Sequence, residues 1–376
     1  MKQAQALTGI KVFDLTRVLA GPTCTQILGD LGADVVKIEQ PGVGDITRTW
    51  GPPFEKDQEG NDTTERAFYL SCNRNKRSLE LDYTSPEGKA RALTMIAESD
   101  ILVENFKTGT LAKYGLDYES VKQINSRLIY CSITGFGQGG PYAQRPGYDF
   151  QIQGMSGLMS LNGEVNGDPM RAGISLADIS TGVYSAVAIL AAVYQRTQTG
   201  RGQFIDMSLL DCQVAMLSFA AQSALLTGEQ PERVGNGHPN IVPYGSFPTQ
   251  DGFVVIAIGT NEQFAKFCDL VKRPELITDP RFQHNKDRVA NRHYMLKIME
   301  EITLQYTRAH WLKALEEAGV PCGPVNSIPE MFEDPQVLVR GLAQQTGSEG
   351  LKTIASALRL EDSPVDYKKR PPSLGT

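Results

Sequence analysis

Histidine is scarce in this sequence. Only four occur in 376 residues, at His238, His284, His293 and His310, which narrows any mechanism built on an imidazole base. The six cysteines, Cys24, Cys72, Cys131, Cys212, Cys268 and Cys322, form no C-x-x-C pair and have no zinc-like spacing to histidine. A metal is therefore not expected, and the thiols read as buried side chains of a reducing compartment. Basic excess is also missing. Lys+Arg number 37 against 43 Asp+Glu, a net charge of −6, which argues against a dedicated nucleic-acid binder. The first residues, MKQAQALTGIK, contain no apolar core of a signal peptide. The most apolar stretch, 183–194, is shorter than the roughly 20 residues a bilayer span requires. These absences point to a cytoplasmic protein with no membrane and no nucleic-acid partner.

What is present is a globular composition, 41% hydrophobic and 21% charged. At roughly 150 residues per domain the length gives two to three domains. Strand signals at 10–15, 35–38, 78–81, 100–103 and 127–134 alternate with helical signals at 22–31 and 86–98. That order predicts a parallel sheet with helical crossovers. Ser85 is the expected cap of the second helix, and Gly32 the stop of the first. Further on, 150–161 and 179–195 read as helices around a polar loop at 162–170. A strand at 204–207 precedes an apolar helix over 209–226. Residues 235–244 (GNGHPNIVPY) must be irregular. A second unit starts with a strand at 252–258, continues with helices near 260–271, 291–306 and 308–318, and ends in short strands and loops.

Several motifs invite chemistry. Gly135, Gly137 and Gly140 match G-x-G-x-x-G after a strand, but Pro141 and Pro146 oppose the helix that a dinucleotide fingerprint must open. The run reads instead as a glycine turn close to any ligand at the sheet edge. The cluster NRNKR at 73–77 is either a solvated face or a phosphate site. His238 sits in the irregular loop, where a lone histidine is more often structural. Asp178, in RAGISLADISTG, lies just ahead of a helix expected to begin near Ser180. There, free N–H groups and the helix dipole would favour its anion. On local grounds it is either a plain cap or a carboxylate nucleophile.

Seven blocks, taken in order, resemble the class III CoA-transferases, the family of formyl-CoA, carnitine and succinate–hydroxymethylglutarate CoA-transferases. They are GIKVFDLTRVLAGPTCTQILGDLGADVVKIEQPGVGDITRTWGPPF, NRNKRSLELD, VENFKTGTLAKYGL, RLIYCSITGFGQGGP, GYDFQIQGMSGLM, TGRGQFIDMSLLD and AGVPCGPVNSIPEMFEDPQV. The resemblance implies that Asp178 is the nucleophile. It would attack a donor acyl-CoA and carry CoA as an aspartyl thioester before passing it to a free, dicarboxylic acid. Acyl-CoA and the small acid would be substrates, with no permanently bound cofactor. By the same resemblance Arg17, Val18, Ala20, Leu81, Asn105, Phe106, Lys113 and Arg145 would contact CoA. Leu19 stands where formyl-CoA transferase has Gln, which disfavours a formyl/oxalate pairing. Gln40 stands where some relatives have Arg. Tyr148 replaces the histidine of the related α-methylacyl-CoA racemases, and a tyrosine with a pKa of about 10 is a poor base. Leu19, Tyr148 and His238 or Asn240 are the candidates for contact with the acid. A racemase or epimerase, and a non-catalytic CoA-binding protein, stay as alternatives.

The implied fold is an open Rossmann-like α/β sheet domain plus a smaller α/β domain, in an interlinked homodimer. Residues 1–205 and 325–376 would form the large domain, 206–228 a linker helix and 229–324 the small domain.

Overall fold

The structure, a computed structural model, describes residues 4–57, 59–347 and 350–376. The chain divides into two compact units. One contains residues up to Leu158, Arg171–Ser223 and Pro335–Thr376; the other contains Met159–Met170 and Ala224–Asp334.

The first unit is built on β1 (Lys11–Asp14), α1 (Ala20–Asp30), β2 (Asp34–Glu39), β3 (Lys76–Glu80), α2 (Pro86–Ala97), β4 (Ile101–Glu104), β5 (Ile129–Thr134), α3 (Asp149–Met155), α4 (Leu176–Thr199) and β6 (Phe204–Ser208). The six strands form one parallel sheet in the order β3-β2-β1-β4-β5-β6. Every residue of β4 and β5 is buried, as strands covered on both faces must be. One face packs Leu28 of α1 with Ala186 and Ile189 of α4. The other packs Ala92 and Ile96 of α2 over Leu102. Helices α1 and α4 cross closely at Gly182, where a Cβ would stand 2.7 Å from the Ala20 carbonyl oxygen. Ser85 caps α2 as expected, its hydroxyl accepting from the Gly88 N–H at 3.1 Å. Gly32, with φ 102°, follows the end of α1.

In this order the chain moves outward from β1 in one direction and returns to lay β4 on its other side. The loops that leave β1 and β4 therefore diverge, and a crevice opens between them at the carboxyl ends of the strands.

Several expectations need correction. Helix α4 runs 24 residues and is long and apolar enough to cross a bilayer by length and composition, unlike the shorter apolar stretch read from the sequence. It nevertheless packs on α1 and β5 within the unit's core, and Arg196 near its end is buried, donating to the Asp100 carboxylate at 2.9 Å. The expected helix over 150–161 is broken after Met155, where Gly157 has φ 91°, and resumes as the short turn Leu158–Leu161. The apolar helix over 209–226 is two helices, α5 (Leu209–Met216) and α6 (Ser218–Thr227), broken at Ser218 with φ 48°. The linker expected at 206–228 is thus the end of a strand and these two helices, and the division between units falls inside α6. Residues after Pro321 include helical turns at Ile328–Glu333 and Pro335–Val339.

The cluster NRNKR is neither a solvated face nor a phosphate site. Asn73, Arg74, Asn75 and Lys76 are buried. Arg74 forms a two-pronged bond to Asp30, and Lys76 Nζ lies 3.3 Å from Asp14. Arg77 alone is solvated, paired with Asp34. All six cysteines are free thiols; five are buried and Cys322 is half-buried.

The second unit has a three-stranded antiparallel sheet of β7 (Tyr244–Thr249), β8 (Gly252–Ala257) and β9 (Cys322–Pro324), with β8 in the middle. Its helices α7 (Asn261–Leu270), α8 (Arg292–Thr303) and α9 (Arg308–Glu317) enclose Phe247, Ile256, Phe267, Met299 and Trp311. Buried Arg288 is fully occupied by the carbonyls of Val242 and Phe282 and by Asn261.

Candidate active site

The crevice between the β1 and β4 loops is occupied by a cavity of about 360 Å³. Arg17, Val18, Leu19 and Ala20, between β1 and α1, form one wall; Asn105 and Phe106, after β4, form another. Arg145, Tyr148 and Asp178 complete the set of predicted residues that reach it.

The two loops are tied together. Asn105 accepts from the Arg17 N–H at 2.8 Å and donates to the Arg17 carbonyl at 2.7 Å. The Arg17 guanidinium then lies over the Phe106 ring, 4.3 Å from its centre. Phe106 is held in turn by its N–H, which donates to Glu104 at 2.8 Å. Burial pushes the Glu104 carboxyl up to about 7, against the opposing hydrogen bonds from Ser132 and Phe106. Val18 has φ 69°, a left-handed conformation that costs a β-branched residue of order 1–3 kcal/mol.

The glycine run after β5 forms turns, with φ of 83° at Gly137 and 87° at Gly140, and no helix begins before Asp149. Its start is clamped to the Gly147–Tyr148–Asp149 segment. A Cβ on Gly135 would stand 2.5 Å from the Gly147 Cα, so only glycine permits this approach. The clamp delivers Tyr148 to the cavity rim, 70% exposed, and starts α3 at Asp149.

Asp178 lies in the first turn of α4, which begins at Leu176 rather than near Ser180. The free N–H groups of that turn do not serve Asp178. Asp149 Oδ1 accepts from the Ala177 N–H at 2.9 Å and from the Asp178 N–H at 3.4 Å. Asp149 is thus the cap of α4, supplied by another helix. Its second oxygen accepts from Gln153, 2.7 Å away, and Gln153 also bonds Ala172 and Ile174 ahead of the helix. Among the described residues no donor reaches the Asp178 carboxylate. Burial first, and then the charge of Asp149, push its pKa up to about 7. The expectation of a dipole-stabilised anion is therefore reversed, because Asp149 has taken the N–H groups.

Four predicted residues do not line the cavity. Leu81 is buried in the core beneath Phe106. Lys113 is exposed on the 3-10 turn Leu111–Tyr114. His238 belongs to the second unit, where its Nδ1 accepts from the Asn240 N–H at 3.1 Å and its ring meets Tyr244. Asn240 there accepts at its carbonyl from Asn285. Asp149 and Lys107 line the cavity and were missed. The signal for Asp149 was an acidic residue directly after Tyr148, at a helix start. Arg17, Lys107 and Arg145 edge the cavity without an ion-pair partner among the described residues. Among the described residues no three His, Cys, Asp or Glu are grouped to hold a metal.

A crevice at the carboxyl edge of a parallel sheet, with Arg17, Lys107 and Arg145 at its edge and Asp149 and Asp178 in its wall, suits an anionic substrate. The sequence profile of CoA-transferase family III matches residues 7–376, and the chain belongs to that family; it is a class III CoA-transferase. It is 46% identical over 372 residues to the succinate–glutarate CoA-transferase of Agrobacterium fabrum, covering 98% of this chain and 93% of that one. It is 43% identical over 378 residues to the succinyl-CoA:glutarate CoA-transferase of Homo sapiens, covering 100% of this chain and 85% of that one. The crystal structure of a CAIB/BAIF family protein from Brucella suis superposes with a TM-score of 0.90 at 46% identity, over 99% of this chain and 97% of that one.

Proposed function

We propose that the enzyme moves CoA from succinyl-CoA or a similar donor to a free dicarboxylic acid of glutarate size, with Asp178 as the nucleophile. The observation that carries this reading is the state of Asp178. It is the cavity's half-buried carboxylate, has no hydrogen-bond donor at its oxygens among the described residues, and has a pKa raised to about 7. A carboxylate so poorly solvated is a better nucleophile than one in water. The names of the relatives at 46% and 43% identity support the choice of acids.

The steps balance without a proton. The Asp178 carboxylate adds to the thioester carbonyl carbon, and the C–S bond breaks to leave a mixed anhydride and CoA thiolate. The thiolate attacks the Asp178 carbonyl carbon and expels the donor acid, giving an aspartyl-CoA thioester. The acceptor carboxylate attacks that thioester, and thiolate leaves again. Finally the thiolate takes the acceptor acyl group and frees Asp178. Each step exchanges one activated acyl for another, so no ATP is needed. Arg17, Lys107 and Arg145 suit the CoA phosphates, and Phe106 offers a flat face. Tyr148, exposed at the rim, would contact the acid.

The test incubates the protein with succinyl-CoA and glutarate and follows glutaryl-CoA, then traps the intermediate with hydroxylamine or borohydride. The adduct is expected at Asp178, and Asp178→Ala is expected to lower turnover by on the order of 10³-fold or more. An adduct elsewhere, or full activity of that variant, overturns the mechanism. Exchange of the substrate α-hydrogen in deuterated water without an acceptor acid would instead indicate a racemase. CoA binding without turnover on any acid would indicate a non-catalytic protein.

We also propose a homodimer. Val183, Val187 and Tyr194 lie exposed on α4, and Phe219 is exposed on α6, an apolar surface that favours a second copy. Light scattering after dilution is expected to show twice the 41.2 kDa chain mass; a folded monomer overturns this.

A further inference from the structure

The left-handed Val18 is a wall of the cavity, and its conformation is held from behind by charged residues that do not line it. Its N–H donates to both oxygens of Asp45, at 3.3 and 3.2 Å. Its carbonyl accepts from the buried Cys72 thiol at 3.6 Å. Asp45 is 1% exposed and caps the 3-10 turn Ile46–Thr49, accepting from the Thr47 N–H and hydroxyl. Lys37, from the middle of β2 and wholly buried, donates to Asp45 at 2.9 Å and to the Thr16 carbonyl at 2.7 Å. One ammonium therefore grips the start of the loop directly and its strained residue through Asp45. Thr16 is fixed again by Asp14, which accepts from its N–H and hydroxyl at 2.9 and 2.6 Å.

A buried ion pair contributes little net stability compared with apolar residues of the same volume. A geometry is a better account of why it is here. The pair lies directly behind a residue in an unfavourable backbone region that faces the substrate cavity. Burial alone would raise the Asp45 pKa, but Lys37 and the bonds from Thr47 outweigh it and leave it below the ordinary value. The clamp is therefore charged throughout the neutral range.

We propose that the Lys37–Asp45 pair is a positioning device for the acyl-CoA site: it holds Val18 left-handed and so presets the Thr16–Leu19 loop to receive the thioester. The inference rests on the reading that this cavity takes an acyl-CoA. It makes Lys37 and Asp45 positioning residues for Val18, Arg17 and Leu19, with no part in the chemical steps at Asp178.

The test uses the full chain and a pair of backgrounds. Lys37→Met with Asp45→Asn removes both charges together and strands neither. Its KM for succinyl-CoA is expected to rise about tenfold with kcat within about threefold of the parent, because preorganisation is lost and the nucleophile is not. Adding Val18→Gly to that variant is expected to lower KM from the charge-free value, since glycine takes positive φ without strain. Hydrogen exchange of the peptide spanning 15–20 supplies an independent readout, with protection lost in the charge-free variant. An unchanged KM, or a rise that Val18→Gly does not reduce, overturns the proposal. A parent protein that neither binds nor turns over succinyl-CoA overturns the proposed function instead, and the exchange of Val18 then decides the clamp alone: unchanged protection sinks it. Should the charge-free variant fail to fold, Val18→Gly in Asp45→Asn alone gives the same comparison.

Discussion

In β1, β2 and the turn after β2, three buried carboxylates meet cations: Asp14 with Lys76, Asp45 with Lys37, Glu39 with Arg48. At the start of α4, Asp178 and Asp149 lie close enough to interact and have no ion-pair partner among the described residues. The two regions lie in the same unit, yet Asp178 shifts in the opposite direction from the paired carboxyls. Burial raises Asp14, Glu39, Asp45 and Asp178 to begin with. Pairing and hydrogen bonds then carry Asp14, Glu39 and Asp45 below their ordinary values, while the adjoining charge of Asp149 carries Asp178 further up. Paired charge fixes backbone; like charge beside a buried carboxyl holds its proton more tightly.

The contrast can be broken on the paired side first. Lys37→Met alone strands Asp45 in the interior and is expected to cost about 3–5 kcal/mol, read as a shift in denaturant midpoint. Adding Asp45→Asn is expected to recover part of that loss. On the unpaired side, kcat/KM for the thioester is expected to rise with pH through a midpoint of about 7 as Asp178 ionises. Asp149→Asn removes the like charge while keeping an oxygen for the Ala177 N–H, so the midpoint is expected to fall. A midpoint that stays at 7 would assign the whole shift to burial.

The same group gives a stability prediction of opposite sign to the usual carboxylate. The folded-state pKa of Asp178 lies above its ordinary value of 3.8. The folded form therefore binds the proton more tightly, and stability declines as pH rises from about 4 through 7. Asp178→Asn is expected to raise the melting temperature at pH 8 and to change it little below pH 4. The smallest effect belongs to the solvated pair Arg77–Asp34: Arg77→Ala is expected to change stability by less than about 1 kcal/mol.

These differences also explain what could be read from the sequence. Strands β1, β2, β4, β5 and β6, helices α1 and α2, and the parallel architecture follow from apolar runs, Ser85, Gly32 and strand–helix alternation, all local signals. Nine predicted residues reach one cavity because the crevice is set by strand order, and motif order follows strand order. The failures are tertiary. The start of α4 was misplaced because its cap, Asp149, comes from a residue 29 positions earlier. NRNKR was misread because Asp30 and Asp14, which bury it, lie 44 and 62 positions upstream. The break at Ser218 carries no glycine or proline to announce it.

The division of the chain sets an order of assembly. Residues 224–334 lie wholly in the second unit, while the first is finished only by Pro335–Thr376. Arg74 needs the Ile354 carbonyl, and Asn75 donates to that of Lys369. During synthesis the second unit emerges complete while buried polar groups of the first still wait for partners. The larger unit is begun before the smaller one and still lacks Pro335–Thr376 when residue 334 has left the ribosome, leaving its buried polar groups exposed to chaperones meanwhile.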